Sequence, residues 1–263
     1  MHPLLFQFGP IAVPTFGIFA AIAVLAAMFL SVRLARVLQI NANEIWNLGV
    51  TMVFSGLVGS RVLLVLLNWR DFRSAPLWMA GLATMRTPWL LLGGSVLALL
   101  TGLVYALIVK LPLLRTLDVL APSLALGHAI VCLGSFAAGL DYGSPTHLPW
   151  AVVYNSRLAA RWSGTPQGIP LHPTQLYECA LELGLFVLLL MLLRRLQPGE
   201  VMGTWLFLIG LGSYFLEFLS GRAQAGILNG PLTLGQYLAV VLVVAGGMLW
   251  WKHDTVRASV YTA

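Results

Sequence analysis

The hydrophobic residues of this chain fall in long blocks that short polar segments separate. Each block is about 20 residues long, the length that an α-helix needs to cross a hydrocarbon core about 30 Å thick. The blocks predict spans near residues 12–34, 46–68, 89–110, 117–138, 174–194, 201–220 and 233–252. The pattern therefore predicts an all-α integral membrane protein with about seven transmembrane helices, in a single transmembrane domain over residues 1–263.

Two longer segments separate these blocks, near residues 69–88 and 140–173. The first contains a short apolar stretch, residues 77–83, which is too brief to cross a bilayer and predicts an interfacial helix. The second is rich in Gly, Pro and Ser, with Trp150 and Trp162 suited to the membrane interface. Long ordered loops usually serve function, so we expect residues 140–173 to contribute to a site.

Basic residues in the short loops predict the orientation. Four loop or tail positions on one side of the predicted bundle carry pairs of basic residues: Arg33 and Arg36, Lys110 and Arg115, Arg194 and Arg195, Lys252 and Arg257. The positive-inside rule makes that side cytoplasmic, with the N-terminus outside and the C-terminus inside. Six arginines lie on the other side, mostly in the longer loops, which carry less orienting weight: Arg70, Arg73, Arg86, Arg157, Arg161 and Arg222. The N-terminus lacks the positive region of a cleavable signal, so we expect the first span to be retained.

The composition excludes a soluble domain. Hydrophobic residues make up 59% of the 263 residues and charged residues only 9%, whereas soluble domains carry about 25% charged residues. The net charge of +6 is spread as single residues and pairs without a basic run, which argues against a nucleic-acid partner. Cys132 and Cys179 lie inside apolar segments and indicate neither a disulfide framework nor a metal-binding motif.

Several ionisable residues lie within or at the ends of the predicted spans, where each charge is costly and indicates a partner or a function. They are Arg61, His128, Asp141, Glu178, Glu182 and Glu217. A guanidinium grips a phosphate through two parallel hydrogen bonds, so Arg61 suits a phospholipid head group. The alternative is that Arg61 pairs with Glu178 or Glu217, and Glu217 could also extend to the membrane surface.

Two segments concentrate these groups. Residues 134–143 combine Gly134, Gly139 and Gly143 with Asp141 and Tyr142, a density of glycine that indicates close approach of another helix or a ligand. In residues 172–178, helical spacing places three polar side chains and Glu182 on one face of the fifth span. The three are Thr174, Tyr177 and Glu178.

His128 and Cys132 are one helical turn apart and share a face of the fourth span. A cysteine and a histidine in contact can act as nucleophile and base. The alternative is that Cys132 is a small hydrophobic residue of the helix packing.

At these residues the chain resembles the prolipoprotein diacylglyceryl transferase family, bacterial inner-membrane enzymes that move diacylglycerol from phosphatidylglycerol onto a prelipoprotein cysteine. Residues 172–178 match the family motif His-Pro-(Ser/Thr)-Gln-Leu-Tyr-Glu at every position, including Gln175. The span-four signature is matched by Gly134, Phe136, Gly139 and Gly143. Further matches fall in the same order along the chain: Phe16-Gly17, Gly93-Gly94, Glu217-Phe218 and Leu234-Gly235-Gln236.

The chain departs from the family motifs at groups that the family uses to hold phosphate and activate the thiol. In the chain these positions are Cys132 and Ser213 for two arginines, Ser135 for asparagine, Leu140 for an acidic residue, Leu92 for histidine and Phe16 for tyrosine. Losing both arginines removes most of the expected charge-assisted clamp on the lipid head group.

The resemblance implies a multi-pass inner-membrane protein with phosphatidylglycerol and a prelipoprotein signal peptide as partners, and with no metal or other cofactor. It implies His172 or Glu178 as the base for the acceptor thiol, and Arg61, helped by Arg222 or a protonated His128, at the lipid phosphate. One alternative is a lipid- or lipopeptide-binding paralogue without catalysis. A third is a small-solute carrier, which is disfavoured because the polar residues gather toward the outer half of the predicted bundle.

Overall fold

The structure is a computed structural model that describes residues 2–8, 11–74, 88–221 and 232–261. Each of the seven predicted spans corresponds to a helix. The helices are α1 (Thr15–Val37), α2 (Ala42–Leu67), α3 (Trp69–Ser74), α4 (Pro88–Ile108), α5 (Leu113–Ala138), α6 (Arg157–Ser163), α7 (Thr174–Leu192), α8 (Glu200–Leu216), which continues into a 3-10 turn at Glu217–Leu219, and α9 (Leu234–Tyr261). Of the basic residues that predict the orientation, Lys110, Arg194 and Arg195 fall between helices. The others lie within helices: Arg33, Arg36, Arg115, Lys252 and Arg257.

Six of these helices, α1, α2, α5, α7, α8 and α9, are long and apolar enough to cross a membrane. Helix α4 has 21 residues, and its portion 93–108 is a shorter apolar helix. The prediction of an all-α, multi-pass membrane protein is therefore confirmed. The orientation of the termini stays a prediction, and the predicted interfacial helix at 77–83 lies outside the described residues.

The helices expose large apolar side chains where a soluble protein would place polar ones. Phe54 is 68% exposed, Ile108 73% and Trp251 72%. Apolar surface of this extent is stable only when something other than water covers it. The hydrocarbon core of a bilayer provides that cover.

Two short antiparallel strand pairs accompany these helices. Strand β1 (Leu4–Phe8) pairs antiparallel with β2 (Ile11–Pro14), and β3 (Val152–Val153) pairs antiparallel with β4 (Pro170–Leu171). The first hairpin is tied to the end of α5 because the His2 amide donates to the Ala137 carbonyl at 3.0 Å.

The chain forms two compact units, Met1–Leu30 with Leu117–Ala263, and Ser31–Thr116. In the second unit, α2 and α4 pack through Gly56 and Gly94. A Cβ atom on Gly94 would lie 2.8 Å from the Gly56 carbonyl oxygen, so glycine permits this approach. The Tyr105 hydroxyl donates to Glu44 at 2.5 Å and gives that carboxylate a partner between the two helices.

In the first unit, Asp118 of α5 anchors the beginning of α8. Its carboxylate, which is buried, accepts hydrogen bonds from the Gly199 amide at 2.6 Å and the Met202 amide at 2.9 Å. The first amides of a helix have no intrahelical acceptor. A side chain from a neighbouring helix therefore caps α8 and fixes its position against α5.

Helices α8 and α9 approach each other through glycines. A Cβ atom on Gly246 would lie 2.6 Å from both the Gly203 carbonyl oxygen and the Phe207 amide nitrogen. We expect Gly246→Ala to lower the free energy of unfolding by about 1–3 kcal/mol, because backbone atoms cannot move aside as a flexible side chain can. Thermal unfolding in detergent measures the change.

The neighbouring residue provides the control. A Cβ atom on Gly247 would meet nothing within 4 Å, so Gly247→Ala should leave stability unchanged or raise it through better helix propensity. Equal losses for the two variants would contradict glycine-mediated packing of α8 on α9.

Candidate functional site

The site begins where α5 ends. Gly139 adopts φ 73°, its amide donates to the Phe136 carbonyl at 3.1 Å, and the Leu140 amide donates to the Ser135 carbonyl at 2.8 Å. This pair of bonds is the Schellman motif, which favours glycine at the left-handed position. The motif turns the chain out of the helix at the predicted glycine cluster.

Asp141 follows with φ 55°, a left-handed conformation that aspartate tolerates better than most residues. Its carboxylate accepts a hydrogen bond from the Ser135 hydroxyl at 3.0 Å. The Asp141 carbonyl accepts from the Thr174 hydroxyl at 2.9 Å. The turn after α5 is thereby joined to the first residue of α7.

Backbone hydrogen bonds then bring three segments of the chain together around Gly143. Its amide donates to the His172 carbonyl at 3.0 Å, the Ser144 amide donates to the Leu219 carbonyl at 2.8 Å, and the Gly221 amide donates to the Tyr142 carbonyl at 3.0 Å. A Cβ atom on Gly143 would lie 2.5 Å from the His172 carbonyl oxygen and 2.9 Å from that of Leu219. The junction is therefore closed to any larger residue.

The Gln175 side chain holds the start of α7 in place through buried hydrogen bonds. Its side chain is 1% exposed and donates to the Leu140 carbonyl and to the Tyr154 hydroxyl, the latter at 3.1 Å. Burial raises the pKa of the Tyr154 phenol, while the hydrogen bond to Gln175 opposes that shift. A second buried hydroxyl, from Thr165, donates to the Gly139 carbonyl at 2.7 Å. These bonds satisfy the turn carbonyls that the end of α5 leaves without helical partners.

His172 and Tyr177 form a contact on the first turn of α7, which begins after Pro173 as the sequence predicts. The Tyr177 hydroxyl lies 3.3 Å from His172 Nδ1, and it accepts a hydrogen bond from Trp150 Nε1 at 2.7 Å. Trp150, predicted as an interface residue, therefore positions Tyr177, and Tyr177 positions the imidazole of His172.

Deeper along the helices lies a cluster of four side chains from α5 and α7, which we call the buried cluster: His128, Cys132, Glu178 and Glu182. His128 Nδ1 lies 2.8 Å from Glu182 Oε1, and His128 Nε2 lies 3.9 Å from Cys132 Sγ. The Cys132 thiol donates to Glu178 Oε2 at 3.6 Å. The shared face that helical spacing predicts for His128 and Cys132 is present, and Glu178 and Glu182 face it from α7.

Exposure differs sharply within the buried cluster. The Glu182 side chain is 0% exposed, whereas the His128 side chain is 47% exposed. Glu182 also accepts from Trp205 Nε1 at 3.0 Å, so both of its oxygens are engaged. A carboxylate that accepts from Nδ1–H fixes the tautomer and orientation of an imidazole. The accessible imidazole of His128 is thus held by a buried carboxylate.

Glu217 lies in the turn that ends α8, in the same unit as the buried cluster. The Thr233 hydroxyl donates to its carboxylate at 3.0 Å, and a Cβ atom on Gly235 would lie 2.8 Å from the carboxyl carbon. Glu217 therefore has a hydrogen-bond partner next to the beginning of α9. It does not depend on reaching the membrane surface.

The remaining predicted site residues lie elsewhere. Gly134 packs against α1, because a Cβ atom there would lie 2.5 Å from Phe19 Cβ, and the adjacent Phe136 is half-buried. Arg61 belongs to α2 in the second unit, with an exposed side chain. Arg222 lies outside the described residues.

Sequence reasoning missed three residues that build the site. Trp205, Tyr154 and Thr165 are ordinary in an apolar chain, and each acquires its role only from a distant partner. The one available signal was that Glu182 must have a partner in the membrane. Nothing in the sequence indicated which residue that partner was.

Comparison with known proteins shows the family of this chain. The sequence model of the prolipoprotein diacylglyceryl transferase family matches residues 3–252. A phosphatidylglycerol–prolipoprotein diacylglyceryl transferase of Parasynechococcus marenigrum is 33% identical over 271 residues, covering 95% of this chain and 93% of the relative. The protein of the same name from Trichormus variabilis is 30% identical over 260 residues, which cover 94% of this chain and 89% of the relative. The chain belongs to the prolipoprotein diacylglyceryl transferase family.

Proposed function

We propose that this protein transfers the diacylglyceryl group of phosphatidylglycerol to the cysteine thiol of a prelipoprotein signal peptide. The reaction would take place in the bacterial inner membrane, with the N-terminus and residues 140–173 on the periplasmic side. The junction at Gly143 carries the proposal. It brings together Tyr142, His172 and Leu219, from three segments that contain the family motifs.

The transfer forms a thioether. The acceptor thiol gives its proton to a base, and the sulfur attacks the glyceryl carbon that bears the phosphate. The bond between that carbon and the phosphate oxygen breaks, and glycerol phosphate leaves with the bonding electron pair. The protein must therefore supply a base near the thiol and positive charge near the phosphate.

His172 and Glu178 are the proposed bases. When His172 Nδ1–H donates to the Tyr177 oxygen, Nε2 keeps a free lone pair that can accept the thiol proton. Trp150 supports this arrangement because its bond to the Tyr177 hydroxyl fixes that oxygen. Glu178 lies within the buried cluster and already accepts a hydrogen bond from one thiol, that of Cys132.

The family resemblance implies positive charge at the lipid phosphate, for which the candidates are Arg61, Arg222 and His128. Glu182 Oε1 lies 2.8 Å from His128 Nδ1 and orients the ring, and the His128 side chain is 47% exposed. The exposed half of that imidazole can then face an anionic group. These candidate phosphate ligands are groups other than the two arginines of the family motifs.

A lipid-binding paralogue without catalysis is the second candidate function. Cys132 and the buried Leu140 stand at positions where the family motifs carry an arginine and an acidic residue. An uncharged thiol and an isobutyl group supply neither a phosphate clamp nor a proton acceptor. This candidate predicts that phosphatidylglycerol binds and remains intact.

Release of glycerol phosphate from phosphatidylglycerol in the presence of a lipobox peptide tests the proposal. We expect the purified protein to release it, and Arg61→Ala to slow release by about 10²–10³, the effect of removing one charge-stabilising donor. Arg33→Ala is the control, because Arg33 is an exposed arginine of α1 at the predicted cytoplasmic side.

Three results are informative. Loss of release in Arg61→Ala alone supports Arg61 as the phosphate ligand. Equal rates of release in the two variants would show that Arg61 does not bind the phosphate. Bound but intact phosphatidylglycerol in the wild-type protein would establish the second candidate.

A further inference from the structure

Three side chains of the buried cluster converge on one point. His128 Nε2, Cys132 Sγ and a carboxylate oxygen of Glu178 all lie within 4.8 Å of one another. Cys132 Sγ is 3.9 Å from His128 Nε2 and 3.6 Å from Glu178 Oε2. Zinc bonds of about 2.0–2.3 Å in a tetrahedron separate neighbouring ligand atoms by roughly 3.3–3.7 Å. The two distances from Cys132 Sγ are close to those between neighbouring ligand atoms of a tetrahedral metal site.

The surroundings of His128 are those of a metal ligand. Its other ring nitrogen, Nδ1, is held by the fully buried Glu182 at 2.8 Å, and Trp205 in turn holds Glu182 at 3.0 Å. Metal-bound histidines usually donate their second N–H to a carboxylate, which fixes the tautomer and raises the basicity of the ligand nitrogen. Here that partner is present and itself hydrogen-bonded.

The donor set indicates the class of ion. One imidazole, one thiol and one carboxylate suit zinc and similar transition metals, whereas magnesium and calcium prefer oxygen ligands alone. Cys132 Sγ and Glu178 Oε2 face each other at 3.6 Å, so a cation between them would have a donor atom on each side.

We propose that His128, Cys132 and Glu178 bind a divalent cation of the zinc class. Three protein ligands leave a fourth position open, as in catalytic rather than structural zinc sites. His128 is 47% exposed, so the cluster is accessible from one side. An anionic oxygen, such as that of a phosphate, is the ligand class for the fourth position.

The part that this cation plays rests on the proposed function, in which His172 is then the base, because Glu178 and His128 bind the ion. Cys132 stands where the family motif has an arginine that holds phosphate. A cation bound by Cys132 would restore positive charge at that position. Binding of the ion itself is a separate claim, which can be tested without any lipid substrate.

The test is titration of Co²⁺ into the full-length protein, purified in detergent and freed of metal with a chelator. A cobalt ion bound by a thiolate gives a charge-transfer absorption band that carboxylates and imidazoles do not. We expect one Co²⁺ per chain with this band, and displacement of Co²⁺ by Zn²⁺. Zn²⁺ should also raise the Tm of the metal-free protein, because the ion binds only the folded state.

The two cysteines provide matched variants. Cys179 is also buried and packs in the same small hydrophobic cluster as Cys132, but it is absent from the converging set. Cys132→Ser should lose the band and the Tm increase with Zn²⁺, whereas Cys179→Ser should retain both. Glu182→Gln should weaken metal binding by about 10–100-fold, since it orients His128 without touching the ion.

Absence of stoichiometric Co²⁺ in the folded wild-type protein would overturn the proposal, as would equal loss of the band in Cys132→Ser and Cys179→Ser. Failure of the metal proposal and failure of the transferase proposal can be told apart. If the protein binds one Co²⁺ through Cys132 but releases no glycerol phosphate, the metal site stands and the proposed reaction is wrong. If metal-free protein transfers at an undiminished rate, the reaction stands and the cation has no part in it.

Discussion

Glu182→Ala is expected to destabilise the first unit and to abolish transfer. The substitution leaves Trp205 Nε1 and His128 Nδ1 without the acceptor that each has at 3.0 and 2.8 Å. A buried donor without a partner costs about 1–3 kcal/mol, and the space left by a fully buried side chain adds to the loss. Thermal unfolding in detergent should show a decrease of about 2–4 kcal/mol in the free energy of unfolding.

Glu182→Gln separates the effect on activity from the effect on folding. A glutamine oxygen can still accept from Trp205, so the fold should be largely retained. Its amide nitrogen cannot accept from Nδ1–H, so His128 loses the acceptor that orients its ring. We expect the rate of transfer to fall by a factor of up to about 10⁴, the effect of changing the orienting aspartate of a Ser-His-Asp triad to asparagine. A Gln variant with wild-type activity would show that the His128–Glu182 pair is structural only.

Gly143→Ala is expected to have the second large effect. The new methyl group would lie 2.5 Å from the His172 carbonyl oxygen, 2.6 Å from His172 Cβ and 2.9 Å from the Leu219 carbonyl oxygen. Two backbone segments would have to separate, and His172 would move with one of them. Because a displacement of about 1 Å can cost about 10²-fold in rate, we expect a loss of that size. Overpacking should also cost about 1–3 kcal/mol of stability.

Gly184→Ala is the matched control for this substitution. Gly184 lies in α7, and a Cβ atom there would meet nothing within 4 Å. The variant should keep both the rate and the stability of the wild-type protein. Measured rates of glycerol phosphate release that fall equally in both variants would contradict the junction at Gly143 as the element that places His172.

The helices could be predicted because their signal is local. An apolar block of about 20 residues implies a span regardless of its neighbours. Helix α5 contains its whole predicted block, while α1 begins three residues after its predicted start and α7 ends two residues before its predicted end. The start of α7 after Pro173 was predictable for a similar reason, since proline favours the first turn. The ends were less certain, and α9 begins at Leu234 but continues to Tyr261, beyond the predicted end near residue 252.

The candidate site could be predicted only in part, because its geometry depends on contacts between distant segments. Helical spacing was sufficient to place His128 beside Cys132, and Glu178 on the same face of α7 as Glu182. It could not show that Glu182 binds His128, which lies 54 positions away. The convergence of His128, Cys132 and Glu178 could not be predicted from the sequence either, since two single cysteines in apolar segments lack the spacing of a metal motif.

The most direct test of the proposed function is mass spectrometry of a lipobox peptide after incubation with the purified protein and phosphatidylglycerol. The account predicts that the peptide gains one diacylglyceryl group on its cysteine, and that a peptide with serine in place of that cysteine gains none. An unmodified cysteine peptide, with folded protein that retains bound phosphatidylglycerol, would contradict the account and identify the protein as a lipid-binding member of its family.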